Sequence, residues 1–66
     1  MDQSNNVKKI REDKMLSKAE LARMAGISPL TLDRIEKGKA CQMATKRKIL
    51  LALGLKIKQK QRVFKQ

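Results

Sequence analysis

The chain carries few groups that could do covalent or metal chemistry. Its six acids are scattered at Asp2, Glu12, Asp13, Glu20, Asp33 and Glu36, it has no histidine, and Cys41 is its one thiol. That stock supplies no acid, base and nucleophile set, and no recognisable metal site. An enzyme is therefore not expected, nor is a cofactor. The single cysteine excludes an internal disulfide and suits a reducing compartment. Cations are abundant instead: Lys and Arg total 17, for a net charge of +11 over 66 residues. A small chain this basic is built to meet a polyanion or an anionic membrane surface.

The charge is concentrated at one end. Residues 1–14 carry four basic and three acidic groups, residues 15–38 again four and three, and residues 39–66 nine basic groups and no acid. The last segment therefore repels itself and is most stable beside an anion. The N-terminal run "MDQSNNVKKI" is too polar for a signal peptide, and the longest apolar run, "ILLALGL" at 49–55, is too short to span a bilayer. The expectation is a soluble, cytoplasmic protein of one domain over residues 1–66, with a core of about 6–55 and a basic tail over 56–66.

The elements that position these charges are short helices. The first runs from about Asn6 to Lys14, with Val7, Ile10 and Lys14 on one face and a poorly marked start. Ser17 followed by Glu20 is a capping box that opens a second helix, whose inward face is Leu21, Ala22 and Ala25 and whose end is Gly26. Ser28 caps a third helix with Pro29 at its first position, where a missing N–H costs nothing. Leu32 and Ile35 point inward there, and Gly38 closes it. After the loop "KACQM", a fourth helix runs from about Ala44 or Thr45 to Leu53, with Ile49, Leu50 and Leu53 inward and Gly54 as its stop. The tail "LKIKQKQRVFKQ" reads as extended with room for one helical turn, since Leu55, Ile57 and Val63 alternate while Val63 and Phe64 also suit a short helix end.

Between the second and third helices the pattern is specific. Small Ala22 permits close approach, Gly26 supplies the turn, and Ile27, Leu32 and Ile35 bury the inner side of two steeply crossing helices. Leu30 and Arg34, four residues apart, face the other way.

The runs "SKAELARMAGISPLTLDRIEKGK" at 17–39 and "TKRKILLALGL" at 45–55 resemble the lambda-repressor-like helix-turn-helix proteins of Cro/repressor and XRE type. The resemblance implies an all-α bundle of four to five short helices that binds duplex DNA as a transcriptional regulator, often a repressor and usually a dimer. It places Ser28, Pro29, Leu30, Thr31 and Arg34 at the positions that meet bases in the major groove. Arg34 would fork to guanine O6 and N7, Leu30 would touch a thymine methyl, and Thr31 would bond a base edge or a phosphate. Ser17 and Lys18 at the start of the second helix would hold one phosphate strand, and Lys37, Lys39, Thr45, Lys46 and Lys48 the other. It further implies a structural pair of Arg11 with Glu36.

The chain departs from the family where Pro29 and Leu30 replace the usual long polar side chains, so the target sequence does not transfer. Asp33 repels phosphate unless it faces Arg34, Lys37 or a cytosine amino group. A phage- or antitoxin-type regulator acting through a protein partner is the nearest alternative. A basic RNA or membrane-surface binder ranks lower, because Phe64 is the one aromatic platform and the tail has a thin apolar set. The tail's Lys56, Lys58, Lys60, Arg62 and Lys65 oppose close pairing of two copies, so a monomer or weak dimer, completed on DNA, is expected.

Overall fold

The computed structural model describes residues 5–64. Five α-helices follow one another as α1 (Val7–Asp13), α2 (Lys18–Ala25), α3 (Pro29–Glu36), α4 (Met43–Ala52) and α5 (Lys60–Val63), with a 3-10 turn over Ile57–Gln59 leading into α5. No strand is present among the described residues, and the single β-type pairing joins Asn5 to Phe64. The all-α bundle expected from the sequence is the fold observed.

Local signals explain the first helices. Ser17 and Glu20 form the reciprocal capping box, with the Ser17 N–H donating to Glu20 Oε1 at 2.8 Å and the Glu20 N–H to Ser17 Oγ at 3.0 Å. Gly26 sits in the left-handed region at φ 72°, and the Ile27 N–H then reaches back to the Ala22 carbonyl at 2.9 Å, closing α2. Nothing crowds a Cβ at Gly26, so its requirement is one of backbone conformation rather than space. Gly54 ends α4 in the same way, the Leu55 N–H donating to the Leu50 carbonyl at 2.9 Å. The turn from α1 to α2 passes through Met15 at φ 58°, an unusual conformation for a side chain that is 91% exposed.

One core joins all five helices: Val7, Leu21, Ala22, Ala25, Leu32, Ile35, Ile49, Leu50, Leu53, Val63 and Phe64. Fully burying each large member contributes about 1.5–3 kcal/mol. Ala22 on α2, the helix that packs against both α3 and α4, is 1% exposed, in keeping with a small residue that lets helices approach closely.

Three sequence expectations change. Lys14 is exposed, and Arg11, one turn after Val7, takes the buried position on α1. The fourth helix begins at Met43 behind an N-cap at Gln42, slightly earlier than Ala44 or Thr45. The tail is not extended: it forms the 3-10 turn and α5 and drives Val63 and Phe64 into the core. Its helical form is fixed by residues far away in sequence. The Asn6 N–H donates to the Val63 carbonyl at 2.7 Å, and Asn6 Nδ2 to the Arg62 carbonyl at 3.0 Å. Buried Asn5 completes the strap, with Nδ2 donating to the Ile35 carbonyl at 2.8 Å and Oδ1 accepting from the Val7 N–H at 3.1 Å. Lys65 of the tail's basic set lies outside the described residues.

Candidate nucleic-acid interface

The outer face of α3 begins at a cap that serves two ends. Ser28 Oγ accepts the Thr31 N–H at 3.1 Å and donates to Thr31 Oγ1 at 2.8 Å, so the two hydroxyls are fixed to each other at the helix start. Ser28, Pro29, Leu30, Thr31 and Arg34 are all exposed, and Leu30 shows 60% of its surface to solvent. Thr31 and Arg34 open on a cleft of about 630 Å³ whose far wall is the loop from Lys39 through Gln42 together with Thr45 of α4. A forked guanidinium, two hydroxyls, an amide and an ammonium thus share one shallow surface beside an apolar Leu30. Those groups suit base edges and phosphate oxygens.

Ion pairs hold α3 in place from behind. Arg11 clasps Glu36 with both arms, Nε to Oε2 at 2.7 Å and Nη2 to Oε1 at 3.2 Å, and its Nη1 donates to the Leu16 carbonyl at 2.8 Å. The two side chains are 8% and 3% exposed. The hydrogen bond to Glu36 outweighs the cost of burial and raises the Arg11 pKa, so the guanidinium stays charged. One interaction therefore ties α1, the α1–α2 turn and the end of α3 together.

Asp33 lies on the flank of α3 between Lys18, which opens α2, and Lys37, which follows α3. Lys18 Nζ bonds Oδ1, and Lys37 Nζ stands 3.0 Å from Oδ2. The bond from Lys18 and then that from Lys37 hold the Asp33 carboxyl below the usual carboxylate range. The acid that would repel a phosphate is thereby neutralised within the chain, by two of the lysines the sequence assigns to phosphate.

The α4 residues divide. Thr45 faces the α3 cleft, and Lys48, one turn on, is exposed. Lys46 is turned the other way, its Nζ 5.5 Å from the centre of the Phe64 ring. Lys46 therefore stands with the tail rather than with Thr45, which a one-dimensional reading of the 45–48 run does not distinguish. Gln42 and Cys41 also line the cleft, without a role expected from the sequence; Gln42 stands at the N-cap of α4 but makes no side-chain capping bond, so no local signal marks it. The half-buried Cys41 thiol donates to the Gln42 carbonyl at 3.6 Å, and burial pushes its pKa up, away from thiolate chemistry. Among the described residues no cluster of His, Cys, Asp or Glu suits a metal ion, and no helix is long and apolar enough to cross a membrane.

Two comparisons with known proteins bear on this geometry. A family model described as Helix-turn-helix matches residues 7–59, from the start of α1 through the 3-10 turn. No curated protein matches the chain. With its capped α2, its Gly26 turn, its exposed α3 and a family match over most of its length, the chain belongs to the lambda-repressor-like, XRE-type helix-turn-helix family of DNA-binding transcription regulators.

Proposed function

We infer that the protein is a sequence-specific repressor that lays α3 in the major groove of duplex DNA, working in the cytoplasm on the nucleoid as one domain over residues 1–66. Arg34 forks to a guanine, Leu30 packs on a thymine methyl, and Ser28, Pro29 and Thr31 border the same base steps. Ser17 and Lys18 hold one phosphate strand while Lys37, Lys39, Thr45 and Lys48 hold the other; Lys46, engaged with Phe64, adds charge from the side. Two copies meet on a two-fold site with half-sites roughly 34 Å apart. The observation that carries this reading is the shared cleft of Thr31, Arg34, Lys39 and Thr45, open to solvent on the outer side of α3.

Selection of bound sequences from a random duplex library with the purified protein, followed by titration of the enriched site, tests it. Binding is expected to prefer duplex over single strands and to weaken with salt at a log–log slope of about −4, from the four lysines on phosphate with Lys46 beside them. Arg34→Lys keeps the charge and loses the fork, so specific affinity should fall by about 1–3 kcal/mol while affinity for random duplex holds. An equal loss on both would make Arg34 a phosphate contact. No duplex preference at moderate salt would overturn the reading.

A further inference from the structure

On the side of α4 away from Thr45, a groove of about 500 Å³ runs between α4 and the tail. Met43, Lys46, Arg47 and Leu50 lie on one stripe of α4, at the i, i+3, i+4 and i+7 spacing that aligns side chains along a helix. Leu50 and Phe64 make the floor, and Met43 and Ile57 stand at its lips, 80% and 43% exposed. Lys46, Arg47 and Lys60 rim it, and among the described residues no acidic side chain lines it. An exposed apolar strip framed by charge marks an interaction surface, and the long unbranched Met43 adapts to what it meets.

The charges decide what fits. A second copy docked through the same surface about a two-fold axis would bring Lys46, Arg47 and Lys60 against the same three cations. A DNA phosphate strand would answer the cations and leave Met43 and Ile57 in water. An acidic amphipathic helix answers both features at once, because its apolar stripe covers the floor while its flanking carboxylates reach the rim. We propose that the groove between α4 and α5 docks an acidic amphipathic helix of a partner protein, with apolar side chains over Met43, Leu50, Ile57 and Phe64 and carboxylates on Lys46, Arg47 and Lys60. This surface is separate from the α3 cleft and does not depend on the reading of that cleft.

The probe is a fluorescein-labelled peptide of about four helical turns, with leucines along one stripe and glutamates flanking them, titrated by anisotropy at about 0.15 M salt. One-to-one saturable binding is expected, with no binding by the same peptide carrying lysines for glutamates. Arg47→Glu and Ile57→Asp should each weaken it by about tenfold or more. Lys8→Glu makes the same charge change at an exposed α1 residue that does not line the groove, and should leave affinity within about twofold. Circular dichroism establishes that each variant is folded; Arg47 is exposed, so its variant keeps the test decisive if Ile57→Asp unfolds. Absence of saturable binding overturns the proposal, as does equal weakening by Lys8→Glu, which would mean diffuse attraction to a basic protein. Sedimentation of the free protein as a dimer that Ile57→Asp dissociates would overturn it in favour of a second copy.

Discussion

Each acidic side chain on α2 and α3 has a partner inside the chain: Glu20 the Ser17 N–H, Asp33 two lysines, and Glu36 the forked Arg11. From residue 39 onward the chain has nine basic groups and no acid at all. The acids of α2 and α3, with Arg11, Lys18 and Lys37, therefore go to geometry, fixing how α1, α2 and α3 cross. The C-terminal half holds together through apolar burial of Ile49, Leu50, Leu53, Val63 and Phe64, and leaves its cations to meet anions from outside. A region whose charges are matched within the chain can present a rigid reading helix. A region of unmatched charge supplies attraction that strengthens as salt falls.

The comparison breaks most visibly if the C-terminal half loses its apolar anchor. Phe64 is 6% exposed, pairs with Asn5 through the backbone, and carries Lys46 over its ring. Phe64→Ala is expected to cost about 3–5 kcal/mol, transfer and cavity terms together. A chain of this size has roughly 3–10 kcal/mol in all, so the variant should sit near its unfolding midpoint at ambient temperature. Urea denaturation followed by circular dichroism measures it. A loss under about 1 kcal/mol would place the tail off the core and return its charges to a solvent-exposed arm.

Arg11 probes the other half. Arg11→Ala leaves the Glu36 carboxylate 3% exposed and without its fork, and also frees the Leu16 carbonyl, so a loss of about 3 kcal/mol is expected. Replacing both partners with apolar residues of similar volume, Arg11→Met with Glu36→Leu, should restore most of that stability, because no charge is then stranded. A double-mutant cycle isolates the pair. Two small effects that add would show that α3 is held by packing alone.

The elements legible from sequence are those whose determinants are local. Ser17 and Glu20 cap within four residues, Gly26 stops α2 where it stands, and Ser28 with Pro29 opens α3, so α2 and α3 are readable from adjacent letters. The tail is not, because its helical form depends on Asn5 and Asn6 more than fifty residues earlier. Its apolar residues fit alternation and a short helix about equally well; only contact with Asn5, Asn6 and α4 decides between them. The same holds for the exposed face of α4, where Lys46 and Lys48 are near neighbours in sequence and part company around the helix. At the α3 cleft, the exposed side of the third helix was readable from the inward Leu32 and Ile35. The far wall was not, since Cys41 and Gln42 reach it through a loop with no periodicity. The resemblance contributed the pairing of Arg11 with Glu36, which no spacing within a single helix indicates.

Asp33 carries the smallest expected effect and bears on fold stability and on DNA affinity at once. Lys18 and Lys37 depress its pKa below the ordinary 3.8, and the Ser17 N–H depresses that of Glu20 below the ordinary 4.5. A carboxylate whose pKa is lower folded than unfolded contributes stability above its unfolded value and loses it as pH falls through the folded one. Stability linked to these two groups is therefore intact at neutral pH and declines on acidification from about pH 4.5 downward. Asp33→Asn should flatten that acid limb in thermal unfolding at a series of pH values, leaving the part due to Glu20. On DNA the same substitution acts in the opposite direction, since phosphates then hold Lys18 and Lys37 without competition from the carboxylate. Affinity for random duplex should rise severalfold, and the salt slope should steepen by up to about one unit for each lysine released. An unchanged slope would mean that both lysines stay off the duplex, and that their work is to brace α2 against α3 alongside Arg11.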